Sequence, residues 1–255
     1  DIIAFSAGTS SGWREKGKLS CFAVLFSSLL LLPPLLSRCP PTRRPKPTAG
    51  LHAEILRQAL PIAKKNGLDI KVIEFQDYVS PNEALAHGDL DANIFQTLSY
   101  LKLMNKQHNY GLAPVGKSIT EPLTFYSKKY TNLSQLSTGA KIGIPNDPST
   151  EGRSLFVLEQ AGLIKLKAGV GREGSPLDVI SNPKKLKFVE LDPAQTPRSL
   201  DDLDAAAVNG NYAYISGLTK TRKGILVEKP GPEYVNYIVV REKDKNAAWV
   251  KTLVK

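Results

Sequence analysis

Two periods of hydrophobic residues alternate along the chain from residue 48 onward, and they predict a series of helices and strands. Apolar residues that recur every three or four positions indicate amphipathic helices, whereas alternating or short continuous apolar runs indicate strands. The predicted helices are Leu51–Lys65, Pro81–Gly88, Ser99–His108, a segment from Ser149 to Ala161, and Ala247–Lys255. The predicted strands are Leu68–Phe75, Asp91–Phe95, Gly111–Val115, Leu123–Ser127, Lys141–Ile144, Lys187–Leu191, Ala205–Val208, Leu226–Glu228 and Tyr234–Arg241.

The order of these elements predicts an α/β protein with two lobes. Helices separate most of the predicted strands, which is typical of parallel sheets. A second unit of the same kind begins at Lys141–Ile144. Within the first unit, Pro61 is expected to kink or shorten the first helix, because proline cannot donate the helical hydrogen bond.

Residues 1–47 differ from the rest and are predicted to lie outside the fold. A basic patch, Trp13–Lys18, leads into an apolar stretch at 19–36 and then to Cys39, which is the outline of a secretory signal ending at a lipid-anchored cysteine. Two adjacent prolines leave about 14 apolar residues before them, fewer than the roughly 20 of a membrane-spanning helix. The segment is either an atypical signal lipidated at Cys39 or an unrelated stretch fused to the domain.

The net charge of +10 does not indicate a nucleic-acid partner. Residues 1–49 contain seven basic and two acidic residues and therefore supply half of it. In the remainder, acidic residues are interleaved with basic ones and no basic stripe forms. The predicted partners therefore include no nucleic acid.

Few residues of the chain could support catalysis or bind a metal. Both cysteines, Cys21 and Cys39, precede residue 50, so the domain itself lacks thiols. The three histidines are widely spaced and form no metal-ligand pair. No cofactor is predicted, and an enzyme is disfavoured because the sequence shows no nucleophile–base pair.

The segment Pro145–Arg153 is the sharpest local motif, since a strand ends there and a helix begins near Ser149 or Thr150. Free N–H groups at a helix start attract anions, and Arg153 one turn later could hold a carboxylate. The alternative is a simple helix cap with Arg153 in solvent.

Two further features have competing interpretations. Gly169–Gly174 matches GxGxxG, but a surface loop fits better than a dinucleotide site because the preceding strand is half polar. Tyr78, Phe95 and Tyr100 follow strand ends or open a helix, where α/β ligand clefts form, although aromatic residues also fill cores.

Several segments, in order, resemble the NlpA-type methionine-binding lipoproteins, and the resemblance runs from about residue 48 to 255. The matching segments are Asp77–Ala86, Gly88–Gln96, Gly143–Arg153, Asn182–Leu191, Leu200–Ala207 and Tyr234–Asn236.

The resemblance implies a type-2 periplasmic-binding-protein fold, with two α/β lobes around a ligand cleft. Residues 48–117 and 226–255 would form lobe I, and residues 118–225 lobe II. It also implies a protein of the periplasm or cell envelope that captures methionine and delivers it to an ABC permease, without catalysis. Membrane contact would come only through a lipid anchor.

Carried over by position, the family's binding residues form an aromatic cage, a carboxylate clamp and polar contacts. The cage falls on Tyr78, Phe95 and Tyr100, the clamp on Arg153, and the contacts to the amino-acid end on Asn209 and Asn236. A zwitterion with a thioether suits such a set, because sulfur packs favourably against aromatic rings.

Three departures keep alternatives open. Thr97 stands where the family usually has His and Thr150 where it has Asn, which would enlarge the site. The family's first strand is replaced by a Pro/Arg run, and the chain stops at Lys255, so lobe I is expected to be incomplete. Alternative functions are binding of another small amino acid or a Met-containing dipeptide, or an effector-binding domain of a regulator, for which no DNA-binding helix-turn-helix is visible.

Overall fold

The computed structural model describes residues 2–9 and 50–255, and within 2–9 only the side chain of Phe5. The signal-like segment and Cys39 lie outside the described residues. In chain order the elements are β1 (Ile2–Thr9), α1 (Leu51–Lys65), β2 (Leu68–Phe75), α2 (Ser80–His87), β3 (Ala92–Thr97), α3 (Leu98–His108), β4 (Leu112–Thr120), β5 (Thr124–Tyr126), β6 (Lys141–Pro145), α4 (Pro148–Gln160), β7 (Lys165–Leu166), β8 (Val179–Ser181), β9 (Lys187–Leu191), β10 (Ala205–Val208), α5 (Gly210–Ile215), α6 (Leu218–Thr221), β11 (Leu226–Val227), β12 (Val235–Arg241) and α7 (Ala248–Leu253).

These elements form two lobes, each on a five-stranded sheet, and the expected α/β class is confirmed. The sheet of lobe I has the order β2-β1-β3-β12-β4, and that of lobe II the order β11-β5-β10-β6-β9. In lobe II, β10, β6 and β9 are parallel, as predicted. In lobe I, β2, β3 and β4 share a direction, but β1 and β12 lie between them and run the opposite way, so every pairing there is antiparallel.

The prediction that residues 1–47 lie outside the fold is wrong for residues 2–9. Strand β1 pairs with β2 from Ile2 opposite Phe75 to Thr9 opposite Leu68, and with β3 through Phe5 opposite Ala92. The Phe5 side chain is fully buried. The apolar and β-branched residues of β1 favour a strand, and β1 lies between β2 and β3 in the sheet of lobe I.

Two further expectations differ from the structure, the lobe to which residues 226–227 belong and the effect of Pro61. Strand β11 pairs with β5 in the sheet of lobe II, although residues 226–227 were assigned to lobe I. Helix α1 continues to Lys65, so Pro61 does not shorten it. Pro61 is exposed, where water can hydrate the carbonyl that lacks its usual donor.

The lobes have separate cores and are joined by two chain crossings. In lobe II, Phe125, Ile142 and Leu155 belong to one buried cluster, and in lobe I, Phe5 and Val240 belong to another. The chain leaves lobe I after β4 and returns before β12, so residues at both crossings face the cleft between the lobes. No helix of the described ranges is long and apolar enough to span a membrane.

Candidate ligand-binding site

A cavity of about 830 Å³ lies between the lobes. All eight residues that the sequence predicted for ligand binding line its wall, and their role in binding stays a prediction. They are Tyr78, Phe95, Thr97, Tyr100, Thr150, Arg153, Asn209 and Asn236.

One end of the cavity is an aromatic cage. Tyr78 stacks on Phe95 at 5.8 Å between ring centroids, and Tyr100 lies edge-on to both rings at 6.0 Å. Tyr212, which the sequence did not single out, packs on Tyr78 at 5.2 Å. Burial raises the pKa of Tyr78, Tyr100 and Tyr212 well above the usual value, so the cage is uncharged. It offers apolar ring surface together with hydroxyl groups.

Local structure holds the cage residues in place. Phe95 lies on β3, and Thr97 caps α3 by accepting the Tyr100 N–H at 3.4 Å. The Tyr100 hydroxyl donates to the carbonyl of Tyr78 at 3.0 Å. Thr97 therefore has a structural use for its hydroxyl in addition to the space it leaves in the cavity.

Arg153 enters the cavity from α4, and its charge is already balanced inside the protein. Nε donates to Oε1 of Glu228 at 2.7 Å and Nη2 donates to Oε2, while Nη2 also contacts the Glu121 carbonyl at 3.3 Å. The Glu228 side chain is 1% exposed, and its Oε2 accepts the Leu123 N–H at 3.1 Å. The Tyr234 ring lies 4.3 Å from the guanidinium carbon. Among the residues described, none accepts from Nη1 of Arg153, which is the donor left for a ligand.

The start of α4 has features of both interpretations of Pro145–Arg153, the simple helix cap and the carboxylate site at Arg153. Asp147 caps the helix by accepting the Thr150 N–H at 3.0 Å, as the simpler interpretation expected. The expectation that Arg153 would then lie in solvent is wrong, since its side chain is only 11% exposed. Because Asp147 occupies the helix start, that start is not itself the anion site, and Arg153 is the cation that remains.

A buried acidic group, Glu121, also lines the cavity and was not found from the sequence. It follows β4 at the first chain crossing, and burial raises its pKa to about 7. Its Oε2 accepts from Nδ2 of Asn236 at 3.4 Å and lies 3.6 Å from Nδ1 of His52. Within the described part of the chain, Oε1 is buried without a hydrogen-bond partner. No local pattern around Thr120-Glu121-Pro122 indicates this burial, since it results from contact between lobes.

Asn209, between β10 and α5, and Asn211, in the first turn of α5, supply two amides to the cavity. Nδ2 of Asn209 lies 3.5 Å from Oγ1 of Thr150, and Oδ1 of Asn209 is buried with no partner among the described residues. Asn211 accepts from the Tyr78 hydroxyl at 2.5 Å, which joins the two lobes. Gly210 lies so close to Glu121 that an added Cβ would be 2.6 Å from the Glu121 Cβ.

The Gly-rich loop forms part of the cavity wall, and no long helix begins in it as a dinucleotide site would require. Residues 171–173 form a short 3-10 helix that packs on α4, where an added Cβ on Gly152 would lie 2.2 Å from the Arg172 carbonyl oxygen. Arg172 donates from Nε to the Tyr234 hydroxyl at 2.8 Å and from Nη2 to Glu233 at 2.6 Å. In the described ranges, no cluster of His, Cys, Asp or Glu could hold a metal ion.

Comparison with known proteins gives consistent matches over the same part of the chain. Residues 48–255 match the NlpA lipoprotein family. The D-methionine-binding lipoprotein MetQ of Salmonella typhimurium is 47% identical over 208 residues, which are 80% of this chain and 77% of the relative.

Solved structures agree in fold. The structure of a nutrient binding protein from Burkholderia cenocepacia bound to methionine is 49% identical, with a TM-score of 0.78, over 81% of this chain and 88% of that one. An ABC transporter periplasmic substrate-binding protein from Coxiella burnetii is 48% identical, with a TM-score of 0.76, over 81% of this chain and 87% of that one. These likenesses confirm the periplasmic-binding-protein fold that the sequence resemblance implied.

Proposed function

The chain belongs to the NlpA lipoprotein family, and we propose that it binds methionine between its lobes as the substrate-binding protein of an ABC transporter. The observation that supports this most directly is one cavity whose wall contains both an aromatic cage and buried charged groups. Methionine has the same division, with an apolar thioether at one end and a zwitterion at the other.

The aromatic cage receives the thioether. Sulfur packs favourably near the edges of aromatic rings, which contributes about 0.3–1.5 kcal/mol per contact. Tyr78, Phe95 and Tyr100 present both ring faces and ring edges to the cavity. Their ring centroids lie 5.8–6.0 Å apart.

The polar residues of the cavity wall receive the ammonium and carboxylate groups. Oε1 of Glu121 and Oδ1 of Asn209 are buried acceptors without a partner among the described residues, and an ammonium group donates three hydrogen bonds. The ligand carboxylate accepts a hydrogen bond from Nη1 of Arg153. Since Glu228 already balances Arg153, the site favours a zwitterion over a ligand with two negative charges.

A Met-containing dipeptide is the second candidate. The cavity volume of about 830 Å³ lies in the upper part of the usual range of about 300–1,000 Å³ for small-molecule sites. Lys102 and Lys106 also line the cavity and offer cations to a second residue's carboxylate.

The protein then delivers its ligand to an ABC permease at the outer face of the membrane, in the periplasm or cell envelope. Relatives named as lipoproteins and as a periplasmic transporter component support this placement. Cys39 remains the proposed lipid attachment site. Catalysis has no part in this function, since the relatives are binding proteins.

Calorimetric titration of the full chain tests the ligand. L-methionine, D-methionine, glycyl-methionine, leucine and glutamate form the panel, after any carried-over ligand has been removed and identified by mass spectrometry. We expect a methionine or its dipeptide to bind at least ten-fold more tightly than leucine. Equal binding of all five, or preference for glutamate, would contradict the proposal.

A further inference from the structure

His52 is a buried histidine beside the polar end of the cavity, although it does not line the cavity. It is the second residue of α1, and its side chain is 2% exposed. Nε2 lies 3.3 Å from Nδ2 of Asn236, and Nδ1 lies 3.6 Å from Oε2 of Glu121. Both partners line the cavity, so His52 lies behind two residues that face the ligand.

The chemistry of these groups decides which atom donates. An amide nitrogen only donates, so Nε2 of His52 must be the unprotonated acceptor and the ring proton must be on Nδ1, toward Glu121. Burial lowers the pKa of His52 to about 4, which keeps the ring neutral near pH 7. Nδ2 of Asn236 uses its two hydrogens on His52 and on Oε2 of Glu121 at 3.4 Å.

This arrangement leaves only hydrogen-bond acceptors of Asn236 and Glu121 available to the ligand. With Nδ2 turned toward His52, Oδ1 of Asn236 is the amide atom that remains for a ligand. With Oε2 held by Asn236 and facing the His52 ring, Oε1 of Glu121 remains. If Asn236 turned its amide over, it would present a donor to the ammonium group and lose the contact with His52.

We propose that His52 is a positioning residue that fixes the amide of Asn236 and the carboxylate of Glu121 so that both present acceptors to the ligand's ammonium group. The proposal rests on the proposed function, because it assumes an α-amino ligand. It concerns selectivity for the amino group and not contact with the ligand.

Two ligands separate this role from a structural one. Methionine is compared with its des-amino analogue, 4-(methylthio)butanoate, which keeps the thioether and the carboxylate. In His52→Leu, methionine binding should weaken about ten-fold while binding of the analogue stays unchanged, because only the ammonium contacts are disturbed. His52→Gln can accept from Asn236 and should retain most of the affinity. Leu56→Ala, a buried change on the same helix, is the control for lost stability.

A second measurement needs no variant. Nitrogen-15 NMR of the histidine rings should show His52 with Nε2 unprotonated at pH 7. A ring protonated at Nε2, or equal weakening of both ligands in His52→Leu while the wild type binds methionine, overturns the positioning role alone. Failure of the wild type to bind methionine overturns the proposed function and this role with it.

Discussion

Glu228 accepts hydrogen bonds from one edge of the Arg153 guanidinium, from Nε at 2.7 Å and from Nη2, so this cation of the cavity wall is paired within the protein. The pair joins α4 to the second chain crossing. We therefore expect a ligand carboxylate to contact Arg153 from its other side, because Glu228 already forms a two-point ion pair with the guanidinium. Arg153 neutralises a buried acid, and its role in ligand binding is a prediction.

Arg153→Met should weaken methionine binding roughly ten- to a hundred-fold, because a charge-assisted contact is lost. It should also lower the free energy of unfolding by about 3–5 kcal/mol, since Glu228 would remain buried without its partner. The double variant Arg153→Met/Glu228→Gln should recover most of the stability but none of the affinity. Urea unfolding and calorimetry measure the two effects. Recovery of binding in the double variant would show that Arg153 does not contact the ligand.

The sequence could predict those site residues that depend on local features. Phe95 ends a strand, Tyr100 lies in the first turn of a helix, and Arg153 lies one turn into another, so their approximate place at a cleft follows from element order and family resemblance. Glu121 and His52 could not be found in this way. They become a site only because α1, the end of β4 and β12 meet, and their burial and altered pKa values exist only in the folded chain.

Strand β1 shows a second limit of sequence interpretation. An apolar run such as Ile2–Phe5 does not indicate which strands it pairs with. Because a signal-like stretch follows it, the whole segment was predicted to lie outside the fold. The register with β2 and β3 is set by pairing between segments far apart in sequence.

Methionine affinity should fall as the pH is lowered through 7. Burial raises the pKa of Glu121 to about 7, and an ammonium ligand binds the ionised form, so affinity should decrease by up to about ten-fold per pH unit below that value. The charged or titratable groups near Glu121 are His52 on α1, Arg153 on α4 and Tyr78 after β2. Burial lowers the pKa of His52 to about 4 and raises the pKa of Tyr78, so neither of these two changes charge near pH 7.

Glu121→Gln should bind methionine more weakly and with no pH dependence between about pH 6 and 8. The folding stability of the ligand-free chain depends on pH in the opposite direction to the affinity. Because folded Glu121 binds its proton more tightly than unfolded Glu121, the wild type loses stability relative to the variant as the pH rises from 4.5 to about 7. Titrations at several pH values check the first expectation, and a pH-independent wild type would rule out Glu121 as the ammonium acceptor.

Gly210→Ala should weaken methionine binding by displacing Glu121. The added Cβ would lie 2.6 Å from the Glu121 Cβ and 3.3 Å from its Cα, which forces the chain crossing to move. Overpacking of this kind costs about 1–3 kcal/mol, and the shift also moves Oε1 away from the ligand. Calorimetry and thermal unfolding measure both effects. Unchanged affinity would show that Glu121 tolerates displacement and contributes little to binding.

Phe5→Ala tests whether β1 belongs to the fold in solution. Phe5 is fully buried between β2 and β3, so its removal should lower the free energy of unfolding by about 3–5 kcal/mol. Ile62→Ala, at a side chain 65% exposed on α1, is the control and should change little. A chain that starts at Thr48 should likewise be destabilised, contrary to the expectation that residues 1–47 are dispensable. Equal stability of Phe5→Ala and the wild type in urea would contradict this placement of β1.

Thr97→His tests how far the family's ligand can be carried over, because the sequence resemblance implies histidine at this position. Thr97 caps α3 through its hydroxyl and also lines the cavity beside Phe95 and Tyr100. A histidine should fill space next to the cage and tighten methionine binding, since ring contacts in a tight site contribute about 1–3 kcal/mol. It should also lower the free energy of unfolding by about 0.5–2 kcal/mol, because the cap on the Tyr100 N–H is lost. Thr97→Ser keeps the cap without filling the cavity and should change neither quantity.

Two outcomes distinguish the candidate ligands. Tighter methionine binding together with loss of dipeptide binding would identify the extra space as room for a second residue. Weaker methionine binding in Thr97→His would show that the wild-type ligand is larger than methionine.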